Sequence, residues 1–451
     1  MTAGGYSTAM SSRPAPRPRS VVPLPLPSGP EVLDVLPALI DALAGRGPAR
    51  LPVPADDPAT TARLTFALAD GPLTAEEDDP DDPTAFVVGT SGSTGPPKGA
   101  LLSASALHAS VAATAERLAP SPGSTLASVP GTWLLAVPPH HVAGMQVLLR
   151  SAVAGTVPVV LAPPFRAERF VAATARMPVG PRFVSLVPTQ LGRVLDDPDA
   201  TAALAGFDAV LVGGAATSPM LLDAAWAAGI RTVTTYGMSE TCGGCVYDGI
   251  PLAGVTVDLL PPDQDGPSDG GAEAEVGLVR LRGPVLARGY RGRPADPAFG
   301  ADERGRWFRT ADLARWTRSG PGSAVRLGVV GRVDDVIMTG GEKVHPVLVE
   351  TAVAAVPGVR SVVVVGVPDV QWGQAVVAVV VPAAGADGPA GRPADEALVR
   401  AVQERARAAG GRVAVPRAVL TIDELPLRGP GKPDRAALTA WAGERRSGWS
   451  S

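Results

Sequence analysis

The spacing of hydrophobic positions changes character three times along the chain. From residue 31 to 44, Val32, Leu33, Leu36, Leu39, Ile40 and Leu43 recur at helical spacing and stop before Gly45, which predicts a first helix and the start of folded structure. Residues 1–30 are rich in Pro, Ser and Arg and hold no continuous apolar run, so they predict a disordered tail, neither secretory signal nor membrane span. Short apolar runs at 132–137, 157–161, 183–186, 209–212 and 232–235 then alternate with helical stretches, the pattern of βαβ units on a parallel sheet. Past residue 251 the runs at 255–260, 276–282 and 324–330 are punctuated by Gly and Pro and predict a smaller β layer. A last unit combines a helix at 347–356, strands at 361–367 and 375–382, and a helix at 395–409. The expected organisation is a tail (1–30), a large α/β domain of parallel-sheet layers with a small β subdomain (31–333), a mobile small α+β domain (334–445) and a short tail (446–451).

Composition narrows the class. With 45% apolar and 19% charged residues the chain can bury a large core, and 451 residues exceed one ordinary domain. A net charge of −4 and scattered basic residues leave no stripe for nucleic acid or an anionic membrane. Two cysteines predict a reducing cytoplasm and no disulfide framework.

The chemistry concentrates first in residues 89–99, Gly-Thr-Ser-Gly-Ser-Thr-Gly-Pro-Pro-Lys-Gly. Thr90, Ser91, Ser93 and Thr94 can donate to phosphate oxygens, Gly92 and Gly95 let backbone N–H groups approach, and Lys98 adds a charge, a set suited to a triphosphate. It is not a Walker A loop, because the lysine follows two prolines, and a Ser/Gly linker seldom ends in Pro-Pro-Lys-Gly. The apolar run 85–88 before it and the alanine-rich stretch from Ser103 predict a loop from strand to helix.

Four further blocks follow. Tyr236-Gly237-Met238-Ser239-Glu240-Thr241 is expected just beyond a strand end, where ligands collect in open α/β sheets. Asp312, read as lying in a loop, can take a ribose diol or serve as a cap or solvated charge. Gly331-Arg332-Val333-Asp334-Asp335 and Gly340-Gly341-Glu342-Lys343-Val344 fall at the junction of the two expected domains, and Lys432 sits in a glycine- and proline-rich stretch near the C-terminus.

These five blocks, in this order over roughly residues 31–445, resemble the adenylate-forming superfamily of acyl-CoA synthetases, firefly luciferase and peptide synthetase adenylation domains. The resemblance implies ATP, Mg²⁺ and coenzyme A as cofactors and a small carboxylic acid as substrate, and leaves a homodimer open. It implies that Lys98 and the hydroxyls of 90–94 hold the β- and γ-phosphates, while Gly213, Gly214, Ala215 and Tyr236 with Gly237 line the nucleotide. Glu240 would be the metal ligand and Thr241 the α-phosphate contact; Asp312 and Arg332 would hold the ribose. Asp334 would be the pivot of the small domain, Gly341 would come to the thiol tunnel, and Lys432 would contact the acyl carboxylate during adenylation.

The acid pocket is expected from Pro138 to Gly144, with His141 as its motif histidine, and from Thr189, Gln190, Gly243 and Gly244. A metal pair at His140 and His141 is disfavoured, since no third ligand lies at suitable spacing; Cys242 and Cys245 read as buried or pocket-lining. These segments are similar to the short o-succinylbenzoate–CoA ligases of menaquinone biosynthesis, whose substrate carries a second carboxylate that His141, Thr189 and Gln190 would bind. The alternatives are another aryl- or short-acyl-CoA ligase, a stand-alone enzyme loading a carrier protein, or a non-catalytic nucleotide binder.

Overall fold

The computed structural model describes residues 18–90, 97–119, 130–261, 276–318, 323–383, 394–428 and 432–445. A first sheet orders β1 (Val21–Leu26), β2 (Ala49–Pro54), β3 (Thr84–Thr90) and β4 (Lys98–Ser103), the first three parallel and β4 antiparallel. Strand β1 corrects the expectation of a disordered tail up to residue 30. Val21, Leu24 and Leu26 are buried, and an edge strand tolerates Pro23 and Pro25, which cannot donate to a ladder. A 3₁₀ turn at Pro30–Val35 precedes helix α1 (Leu36–Leu43), so the predicted first helix is two pieces; Pro37 in the first turn of α1 gives up only an N–H that has no intrahelical partner. Helix α2 (Pro58–Leu68) covers the same sheet, with Leu64 and Leu68 packed toward it.

The hydroxyl- and glycine-rich stretch does not lead from a strand to a helix. Strands β3 and β4 on either side of it pair antiparallel, with Thr90 opposite Lys98, because the apolar residues after Lys98 form a buried strand before the helix begins. Helix α3 (Ala104–Leu118) then starts at Ser103, whose hydroxyl accepts from the Ala106 N–H. Residues 91–96 lie outside the described residues.

The second sheet comprises β5 (Thr132–Leu135), β6 (Val159–Val160), β7 (Arg182–Leu186), β8 (Ala209–Gly213), β9 (Thr232–Met238), β10 (Gly243–Tyr247) and β11 (Ile250–Pro251), in the order β11-β10-β9-β8-β7-β5-β6. From β9 to β6 it is parallel, as the alternating pattern requires, and β10 returns antiparallel to β9. Its helices are α4 (Val142–Ala154), α5 (Ala167–Ala175), α6 (Pro188–Leu195), α7 (Pro198–Ala205) and α8 (Pro219–Ala227). Strand β9 runs on through Met238, so Tyr236 and Gly237 lie within it. Gly237 opposes Gly244, and a Cβ there would come within 2.0 Å of the Gly243 carbonyl oxygen.

A third, antiparallel sheet joins β12 (Thr256–Leu260), β13 (Gly277–Arg282), β14 (Phe299–Asp302), β15 (Gly305–Arg318) and β16 (Val325–Arg332). Asp312 is therefore a strand residue, opposite Arg332, and not a loop aspartate. The C-terminal sheet holds β17 (Ile337–Thr339), β18 (Glu342–Val344), β19 (Val359–Asp369), β20 (Gly373–Pro382) and β21 (Ala418–Thr421). Helices α9 (Pro346–Val353) and α10 (Glu396–Gly410) bury Val349, Val353, Val402 and Ala406 in one apolar cluster of this sheet. Helix α11 (Arg435–Gly443) buries Leu438 and Ala442 in another. A short hairpin of β22 (Leu427–Arg428) and β23 (Lys432–Pro433) carries Lys432.

Candidate active site

Strands β9, β15 and β16 bring four candidate residues into one hydrogen-bonded chain. The Tyr236 hydroxyl donates to Asp312 Oδ2 at 2.7 Å, and Arg332 donates to Asp312 Oδ1 at 3.0 Å. The same guanidinium forks onto Asp334 through two bonds of 2.8 and 2.9 Å. Burial pushes the Tyr236 hydroxyl well above its ordinary pKa and Asp312 pushes it further, so it stays a donor. Burial alone would lower the Arg332 pKa; Asp334 and Asp312 outweigh it and raise it. Beside Tyr236, Gly213 ends β8, where a Cβ would lie 2.1 Å from Thr235 Oγ1; Gly214 follows with a left-handed φ of +83°, and Ala215 is half-buried.

Glu240 occupies a 3₁₀ turn after β9 and is 7% exposed. Tyr290 donates to its Oε1 at 2.6 Å. Burial raises the Glu240 pKa, while the Tyr290 bond and the charges of Lys432 and Lys98 pull it back. Lys98 pairs with Asp296 at 3.1 Å and lies 4.6 Å from the centre of the Tyr290 ring. Thr90 faces it across the hairpin; Ser91, Gly92, Ser93, Thr94 and Gly95 lie outside the described residues. Among the described residues no three His, Cys, Asp or Glu side chains could hold a metal together. A single buried carboxylate with one hydroxyl partner fits a Mg²⁺ completed by phosphate oxygens and water.

Thr241 departs from its expected role. Its fully buried hydroxyl accepts from the Met238 N–H at 2.9 Å and donates to the Gly243 carbonyl at 2.7 Å, so it locks the turn and does not face a phosphate. Ser239 is half-buried, and its side chain has no hydrogen-bond partner among the described residues. It is the available hydroxyl beside Glu240, and the motif contained it. Tyr290 was also passed over; Arg288-Gly289-Tyr290 carries no spacing signal, and only the fold brings it to Glu240.

The turn continues into Cys242, a non-glycine residue at φ +54° whose carbonyl accepts from Gln146 at 2.6 Å and Ser110 at 3.2 Å. Two buried donors thus hold a left-handed residue next to Glu240. Cys242 and Cys245 are fully buried, which pushes both thiols up, Cys245 to about 12.

Of the residues expected to line an acid pocket, His141 precedes α4 and lies 4.2 Å from His140, ring centre to ring centre. Burial first, then the charges of His140 and Lys432, push its pKa down to about 3, so the imidazole is neutral. The exposed Lys432 therefore acts electrostatically on both His141 and Glu240. Gln190 is not a free donor: its Nε2 donates to the Ala136 carbonyl at 2.8 Å and its Oε1 accepts from the Val187 N–H at 3.0 Å, capping α6. Thr189 is exposed on the same turn. Gly243, at φ +100°, lies against Val142 and Gln146 of α4, and Gly244 against Tyr247. Gly340 and Gly341 form the exposed turn of the β17–β18 hairpin, both at positive φ as a two-residue turn of this kind needs.

Residues 32–291 match the family model of the AMP-binding enzymes, and residues 348–432 match that of the AMP-binding enzyme C-terminal domain. The chain is 42% identical over 424 residues to a probable 2-succinylbenzoate–CoA ligase of Mycobacterium tuberculosis, covering 93% of this chain and 98% of the relative. It is 33% identical to a feruloyl-CoA synthase of Amycolatopsis, over 88% of this chain and 80% of that one. Among solved structures it is similar to the o-succinylbenzoate CoA synthetase MenE of Bacillus subtilis in complex with the acyl-adenylate OSB-AMP. That likeness has a TM-score of 0.62 at 25% identity and covers 84% of this chain and 73% of the other.

Proposed function

The chain belongs to the AMP-binding enzyme family of adenylate-forming acid–CoA ligases, and on that premise we propose that its acid is 2-succinylbenzoate, activated for menaquinone biosynthesis. The observation that carries this reading is the 42% identity to the M. tuberculosis relative across 98% of that protein's length. In the first half-reaction a carboxylate oxygen of the acid attacks the α-phosphorus of ATP and pyrophosphate leaves. Both reactants are anionic, so the lysines must offset repulsion and developing charge. Lys98, at the mouth of the β3–β4 hairpin, serves the departing phosphates, and Lys432 serves the acid near His141. A bound Mg²⁺ on Glu240 would supply further charge neutralisation. The Tyr236–Asp312–Arg332 chain positions the nucleoside. In the second half-reaction the thiol of coenzyme A attacks the acyl carbonyl and AMP leaves; rotation about Asp334 would withdraw Lys432 beforehand.

Pyrophosphate release with 2-succinylbenzoate, benzoate, ferulate and a medium-chain fatty acid, each with and without coenzyme A, tests the reading. Turnover confined to 2-succinylbenzoate, with its CoA thioester formed, supports it; turnover with a different acid overturns the substrate. A second aryl acid is the competing reading, favoured by the 33% identity to the feruloyl-CoA synthase.

A further inference from the structure

Arg193 and Glu424, 231 positions apart, form an ion pair of 3.1 Å between Nη2 and Oε1. Arg193 lies in the last turn of α6, beside the parallel sheet, and Glu424 lies in the C-terminal part of the chain, between β21 and β22. The pair therefore joins the two sides of Asp334, the proposed pivot.

What each partner is attached to gives the pair its meaning. The first turn of α6 is tied by Gln190 to the Ala136 carbonyl, just before the segment expected to line the acid pocket, and Leu191 and Val194 anchor the helix in the core. Glu424 is flanked by Ile422 and Leu425, which pack against the apolar cluster that holds α11. The Asp434 N–H donates to the Pro426 carbonyl at 2.8 Å, closing the same segment into the β22–β23 hairpin, where Lys432 stands opposite Arg428. Glu424 and Lys432 thus ride on one packed unit. With that unit seated on α6, the charge of Lys432 is felt by both His141 and Glu240.

We propose that Arg193 and Glu424 are a positioning pair for the first half-reaction: they hold the Lys432 hairpin against the acid-pocket side of the large domain and part when rotation about Asp334 withdraws it. The inference rests on the roles given above to Lys432 and Asp334 and is independent of which acid is activated. The two side chains are 45% and 74% exposed, so the pair stabilises only weakly, which suits a contact that opens in every turnover.

The test uses Glu424→Arg, Arg193→Glu and the double charge swap in the full-length enzyme, with the acid that wild type turns over. Each single reversal sets like charges against each other and should slow acid-dependent pyrophosphate release about two- to tenfold, without slowing thioester formation from pre-made acyl-adenylate. The swap should bring pyrophosphate release back to within about twofold of wild type. Raising NaCl from about 0.05 to 0.5 M should shrink the defect of the single variants, because salt screens an exposed pair. Loss of folded protein lowers both half-reactions and does not imitate this split. Equal loss in the two, no loss in either, or a swap that restores nothing overturns the proposal. Lys432→Ala separates that failure from failure of the premise. If it slows both half-reactions equally, the division of roles between orientations falls and the proposal with it; if its effect is divided and that of the reversals is not, the pair alone is overturned.

Discussion

The phenolic hydroxyl of Tyr290 donates to Oε1 of Glu240 at 2.6 Å, joining two residues fifty positions apart. The chain beside Tyr290 docks on the same two elements. Its Ala287 N–H donates to the Glu240 carbonyl at 2.7 Å, and Tyr290 itself bridges to Ala100 of β4. The carboxylate proposed to face the phosphates is thus braced from the strand that begins with Lys98.

Removing that brace in Tyr290→Phe leaves Glu240 buried with no hydroxyl partner. Burial already raises the carboxyl pKa and the Tyr290 bond lowers it, so the variant's carboxyl takes up its proton at higher pH. The acid limb of the kcat/KM profile for ATP should move to higher pH, with a loss of about 1.5–3 kcal/mol in transition-state stabilisation at fixed pH. A profile superimposable on wild type would show that Glu240 does not need this donor.

Asp312 accepts from both Tyr236 and Arg332, so Asp312→Ala breaks the chain at its centre. If the chain holds the nucleoside, both half-reactions suffer: KM for ATP rises about tenfold or more, and thioester formation from a pre-made acyl-adenylate slows as well. Steady-state kinetics on each half-reaction separately decides the matter; damage confined to one of them would count against a nucleoside role.

Lys432→Ala should behave in the opposite, divided way. Acid-dependent pyrophosphate release should fall about a thousandfold or more, as expected for loss of a preorganised cation at the developing charge. Thioester formation from synthetic acyl-adenylate should be largely spared. Equal loss in the two assays would defeat the division of roles between domain orientations.

His141 provides a pH test on stability. In the unfolded chain it takes up a proton near pH 6.5, but in the folded protein only near about 3. The unfolded state therefore binds more protons between these values, and folding stability contributed by the neutral imidazole is lost as pH falls through that window. His141→Gln should remove this loss, at up to about 1.4 kcal/mol per pH unit. Melting midpoints at pH 7 and pH 5 check it: the variant should lose less on acidification than wild type.

Much of the architecture was legible because periodicity reports burial. The parallel core of the second sheet follows from apolar runs separated by helices, and the five chemical blocks were found by residue type and order. What failed were places where a neighbour distant in sequence decides the local state. Asp312 looked like a loop residue because its polarity interrupts an apolar run, yet Arg332 across the ladder satisfies it. Gln190 looked available, but a helix cap and the Ala136 carbonyl consume both ends of its amide. Thr241 looked like a phosphate contact until the turn folded its hydroxyl back on Met238 and Gly243. Tyr290 carries no motif at all, and only packing reveals that it meets Glu240.

Strand β1 carries a consequence for assembly. Pro23 and Pro25 have the same parity, so both missing N–H groups fall on the same side of the strand, the side turned away from β2. An incoming strand would find two of the three N–H donors of that row missing, which disfavours extension of the first sheet through β1 by another copy of this protein. The prolines that make residues 1–30 read as disordered act, once folded, as a guard against edge-to-edge aggregation.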